Sequence, residues 1–166
     1  MLANGGTNAM KRMSRLGAVL VGGSIAGALD ILFALTHAGV NGMGPQQLLQ
    51  VVASGLLGQD AYAGGWGSAV LGLAAHFVLS LLWAALFVVA ASRVPRLLAK
   101  PALSGALFGV IVFLAMRLVV LPVSAFPHPV SFKPLSAGLD LLSHVFFFGL
   151  PIALAAARAI RPRTGP

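Results

Sequence analysis

The chain has 166 residues, 58% of them apolar and 8% charged, with a formal charge of +8 and no cysteine. Soluble domains carry about 25% charged residues, so this sequence has too little charge to cover a water-facing surface. Without cysteine there is no disulfide, thiolate metal site, iron–sulfur cluster or cysteine nucleophile.

The Lys and Arg residues stand in short groups between apolar runs, with no basic face interleaved with aromatics. That pattern excludes nucleic acid as a partner and reads as membrane topology. The acids are Asp30, Asp60 and Asp140, and glutamate is absent. The chain has no G-x-S-x-G, H-E-x-x-H or P-loop motif, so no conventional enzyme is expected.

The first span covers about 16–36, after Lys11, Arg12 and Arg15. A basic flank before an apolar core also describes a signal peptide. This core is about 20 residues long against about 7–15 for a signal sequence, and it contains Asp30, so it is kept as a span. Residues 38–66 hold no Lys or Arg. Pro45 suits a helix start, and PQQLLQVVASGLLG reads as a helix closed by Gly58. Gln46, Gln47, Gln50 and Ser54 fall on one side, and Leu48, Leu49, Val52 and Leu56 on another. Too short to span, it is expected to lie flat on the outer interface as an uncharged amphipathic helix. Tyr62 and Trp66 follow at headgroup level.

The second span covers about 67–91 and runs into Arg93, Arg96 and Lys100. The third, about 102–121, ends at Pro122, and a loop with Pro127, Pro129 and Pro134 follows. The fourth, about 137–157, runs into Arg158, Arg161 and Arg163. With both termini cytoplasmic, nine basic residues lie inside against Lys133 outside, and Arg117 lies within a span. The expected fold is an all-α integral membrane protein: a single domain, 1–166, forming a four-helix transmembrane bundle with one amphipathic interfacial helix in the first outer loop.

Helices in lipid pack through small residues. Gly23 and Gly27 share a face with Asp30 and Ala34; Gly72, His76 and Ser80 form a second stripe, and Gly105 and Gly109 a third. Arg117 lies about 80° round from Gly109. Asp140 and His144 share a face of the fourth span, near Pro151, which is expected to kink that helix. At about 1.5 Å per residue, His76 and His144 lie about 14 and 10 Å below the outer ends of their spans, and Asp30 and Arg117 about 9 and 6 Å. These residues are expected to meet in the outer half of the bundle as a buried polar cluster.

Intramembrane ionisable residues are functional candidates by default. Against that stands a structural role, in which Asp30 and Arg117 neutralise each other and the histidines bond backbone or hydroxyl groups. His37 and His128 read as wet interfacial residues.

The second half has a recognisable order of motifs: LAAHFVLSLLWAALF, a basic connection, GALFGV, a span ending at Leu121 and Pro122, a proline-rich loop, then DLLSH. Over about residues 67–150 this resembles the small bacterial inner-membrane proteins of the YagU type, a family of unknown biochemical function. The resemblance touches His76, Gly105, Gly109, Pro122, Asp140 and His144. The chain departs from the family pattern at Arg117, where a histidine stands, at Asp140, where the acid is Glu, and at Asp30, which has no counterpart. The resemblance implies an inner-membrane bundle with a polar outer-half cluster. It supplies no reaction.

The leading expectation is a non-enzymatic inner-membrane protein in which Asp30, His76, Arg117, Asp140 and His144 bind a small ligand or relay protons. One alternative makes His76 and His144 the axial ligands of a b-type haem, or two ligands of a divalent metal completed by Asp140 or water. Another is an accessory or assembly subunit of a larger membrane complex. Beyond the lipid bilayer, a homo-oligomer is the expected partner. Four unbroken spans without an inverted repeat lack the usual transporter plan. A lipid-modifying activity would have Asp60, His128 and Lys133 to draw on.

Overall fold

The computed structural model describes residues 13–160, and every regular element among them is a helix. Four helices are long and apolar enough to cross a membrane: α1 Arg15–Val40, α3 Gly65–Arg93, α4 Pro101–Val123 and α5 Pro134–Ala159. The shorter α2, Pro45–Leu57, lies between the first two. The chain is a multi-pass membrane protein. Lys11, Arg12, Arg161 and Arg163, part of the charge asymmetry, lie outside the described residues.

The spans extend a little beyond the hydropathy limits, and α1 and α2 begin on capping groups. Ser14 Oγ accepts from the Gly17 N–H at 2.9 Å, and Gln47 Oε1 accepts from the Gly44 N–H at 3.0 Å. Gly58, at φ +59°, closes α2 in a conformation that side chains other than glycine rarely adopt.

Glycines set the order of the bundle. Gly23 and Gly27 of α1 face Phe77, Ser80, Leu81 and Ala84 of α3, while Gly22 faces Ile152 and Ala155 of α5. Gly105 and Gly109 of α4 stand against the backbone of His144, Gly149 and Leu150 in α5. The helices therefore follow one another as α3, α1, α5, α4, and the backbones of the consecutive spans α3 and α4 stay apart, bridged at one end by Phe108 against Phe87 and Trp83. The main core cluster is built largely from alanines, among them Ala18, Ala26, Ala84, Ala91, Ala153 and Ala156, around Phe87, Val112 and Ile152.

Two expectations need correction. The glutamine side of α2 does not face water as a whole: Gln50 and Ser54 are buried along with Leu49 and Ala53. Gly72 lets α2 press onto α3, its Cα beside the Leu49 carbonyl. The Gln50 amide then donates to the carbonyls of Gly65 and Tyr62 at 3.2 and 3.4 Å and to the Ser68 hydroxyl at 3.3 Å, tying α2 to the 3₁₀ turn, Gly58–Tyr62, and the start of α3.

The spans are continuous, but two of them are not regularly wound. A π-helical segment, Met116–Val120, interrupts α4, and another, His144–Gly149, interrupts α5. Each lies directly before a Leu-Pro pair, Leu121–Pro122 and Leu150–Pro151. Proline lacks the N–H that would bond the carbonyl four residues back, and its ring crowds that oxygen. A widened turn carries the oxygen aside and keeps the span helical. Pro151 is thus accommodated by a π segment in place of the simple kink its sequence implies.

Gly109→Ala is expected to lower stability by about 1–3 kcal/mol through overpacking, since its Cβ would overlap the His144 carbonyl. Gly67→Ala, with nothing within 4 Å of the added carbon, should leave the unfolding midpoint in detergent unchanged.

Candidate functional site

A cavity of about 780 Å³ lies among α2, α3, α4, α5 and the connecting segment 124–133. Its lining includes all five residues singled out from the sequence: Asp30, His76, Arg117, Asp140 and His144. Four helices bring them together, α1, α3, α4 and α5. Each is half-buried, not buried as expected, because the cavity itself leaves one side of every group uncovered.

Arg117 is the most fully engaged. Its Nε and Nη2 donate to Asp140 Oδ2 at 3.1 and 2.6 Å, and Nη1 donates to the Ser131 carbonyl at 2.7 Å. The guanidinium also lies over Phe113 and Phe132, 5.1 and 5.4 Å from the ring centroids. The expected Asp30–Arg117 pair does not form. α1 and α4 are not neighbours in the bundle, so Arg117 meets the acid of the adjacent α5. Asp30 instead accepts a hydrogen bond from the Ser143 hydroxyl at 2.6 Å.

The histidines have separate partners. His76 bonds through Nε2 to the Gly27 carbonyl at 2.9 Å, across to α1. His144 bonds through Nδ1 to the Asp140 carbonyl at 2.9 Å, with Asp140 Oδ1 at 3.2 Å. Its ring packs against Phe113 and Phe148, both with centroids 5.8 Å away. For the haem and metal alternative, His76 has committed the ring nitrogen Nε2 to α1. Among the described residues, no group of three or more His and Asp side chains is arranged to hold a metal ion.

The end of the cavity beneath α2 is bridged by two hydrogen bonds. Ala125 N–H donates to the Gly55 carbonyl at 3.0 Å, and Tyr62 Oη bonds His128 Nε2 at 2.9 Å. His128, read from sequence as a wet interfacial residue, therefore ties the proline-rich segment to the turn after α2, with Phe126 packed edge-on at 5.5 Å. His37 stacks on Phe33 in its own helix and does not line the cavity. Sequence reasoning missed Ser143, Phe113 and the Ser131 carbonyl. Ser143 carried a signal, a hydroxyl in an apolar span beside His144. A backbone carbonyl in a loop carries none.

No protein-family model, curated protein or solved structure matches the chain.

The pairing predicts a pattern of coupling. Arg117→Leu and Asp140→Asn should each lower the unfolding midpoint, and the double variant should lose less than their sum, a coupling of about 0.5–3 kcal/mol. Arg117→Leu combined with Asp30→Asn should be close to additive. Thermal unfolding of the set in one detergent gives both answers.

Proposed function

We propose that the chain is a non-enzymatic protein of the bacterial inner membrane, both termini cytoplasmic, whose cavity binds a small ligand through Asp30, His76, Arg117, Asp140 and His144. The observation that carries this reading is the shared cavity: ionisable residues from four helices line one space of about 780 Å³. That volume falls in the range of about 300–1,000 Å³ typical of small-molecule sites. Polar groups in a membrane span are costly unless something meets them, and here several have one side open to the cavity. The resemblance to YagU-type proteins supports the inner-membrane placement. A proton relay has less support, since the two imidazoles bond separate backbone carbonyls and not one another.

Two measurements test the proposal. Because the chain has no cysteine, single-cysteine variants report topology cleanly. Gly39→Cys, exposed and with nothing within 4 Å of the added carbon, should react with a membrane-impermeant maleimide from the periplasmic side in intact cells. A cysteine at Ala99 should react only after lysis, and the reverse result overturns the orientation. For the ligand, native mass spectrometry of gently purified protein should show a bound small molecule of defined mass. Val120→Trp, which fills the cavity from α4, should shed it; equal bare masses for both proteins would remove the binding reading.

A further inference from the structure

The ligand's route and chemistry can be read from the cavity walls. α3 and α4 meet near the end where α1 begins and α5 stops, where Phe108 packs against Phe87 at 4.9 Å and Trp83 at 6.3 Å between centroids. Toward the α2 end they part. Ala74, Ala75 and Val78 of α3 then face Phe113, Met116 and Val120 of α4 across the cavity. Leu71 and Val78 line the cavity yet are 39% and 56% exposed, so its wall continues onto the lipid-facing surface of α3. The α2 end is bridged by the Gly55–Ala125 and Tyr62–His128 bonds, and Leu56, Ser131 and Lys133 there are exposed as well. The opening between α3 and α4 is the one walled by apolar side chains and turned to the bilayer.

The polar end is rich in free acceptors. A carbonyl oxygen only accepts, so the ring nitrogens bonded to Gly27 and Asp140 carry the protons: Nε2 of His76 and Nδ1 of His144. In a neutral ring the other nitrogen, His76 Nδ1 or His144 Nε2, holds a lone pair. Asp30 has one oxygen on Ser143, and no hydrogen bond is made to its Oδ2 among the described residues. Arg117, the cation beside these acceptors, is already spent on Asp140 and Ser131. Lys133 also lines the cavity, but it stands at the first residue before α5. Asp30 Oδ2, together with the ring nitrogens of His76 and His144 that α1 and α5 leave unused, calls for hydroxyl groups, which both donate and accept, on a long apolar tail.

Building on the ligand-binding reading above, we infer that the cavity takes an uncharged, hydroxyl-headed lipid amphiphile from the bilayer through the gap between α3 and α4. Its tail lies along Ala74, Val78, Met116 and Val120. Its hydroxyls donate to Asp30 and bond the remaining ring nitrogens of His76 and His144. An anionic head would meet Asp30, whose hydrogen-bond partner is the Ser143 hydroxyl, while Arg117 is held by Asp140 and Ser131.

The test uses a monoacylglycerol carrying a photoreactive diazirine in its acyl chain, mixed into phosphatidylcholine vesicles containing the protein. A diazirine fatty acid of equal chain length serves as the anionic comparison. Monoacylglycerol labelling should map to Ala74–Leu79 and Phe113–Val120 and exceed fatty-acid labelling there by about tenfold, the scale of one hydrogen bond to a charged group. Asp30→Asn, which keeps an acceptor for Ser143 but loses the charge, should reduce it several-fold. Val78→Trp, a change at an exposed lip that does not disturb the core, should block it. Labelling spread evenly over lipid-facing residues, or equal labelling by the two heads, overturns the inference. So does a water-soluble molecule found bound by native mass spectrometry and displaced by free glycerol, and that result would leave the broader ligand-binding reading standing.

Discussion

The close approach of α4 to α5 governs the rest of the structure. Gly105 and Gly109 place the α4 backbone directly against His144, Gly149 and Leu150, and a side chain at these positions would overlap main-chain atoms. In lipid there is no hydrophobic drive between helices, so such contacts, made by dispersion at short range, decide which spans become neighbours. With α5 between α1 and α4, Arg117 cannot reach the acid of α1 and is turned to that of α5. The same order leaves α3 and α4 apart, and the polar residues look into the resulting gap. Glycine placement thus determines both the ion pair and the cavity.

The π segments belong to the same account. Arg117 is the second residue of one and His144 the first of the other. A widened turn reorients side chains relative to a regular helix and often coincides with functional positions. Here each π segment has a local cause as well, the Leu-Pro pair that follows it. The prolines therefore act at a distance of several residues on groups that line the cavity, without touching it themselves.

Much of this was legible in the sequence. Four apolar runs and the short uncharged helix announced the spans, and glycine spacing identified the packing faces of α1 and α4. Matching depth brought the five ionisable residues together on paper, and they do line one cavity. The partner of Arg117 was not legible, because depth along a helix says nothing about which helix stands alongside. The inward turn of Gln50 and Ser54 was equally hidden: an amphipathic pattern has two faces, and only the position of α3 shows which is covered. The π segments escaped because 3.6-residue periodicity is assumed in any wheel drawn from sequence.

That last point has a genetic consequence. A π segment amounts to one surplus residue in an otherwise regular helix, so α5 carries an insertion between its polar half and its alanine-rich half. Deleting a single residue within 145–149 would restore ordinary winding and leave Ile152, Ala153 and Ala156 enclosed as they are now; the cost would be the crowding of Pro151 against the carbonyl that the widened turn carries aside. Deleting Leu154, in the regular winding just beyond, removes no surplus and would turn everything after it by about 100°, carrying the enclosed Ala155 into the exposed place of Leu154. A one-codon loss would thus be absorbed within the π segment and would turn inside to outside a few residues later.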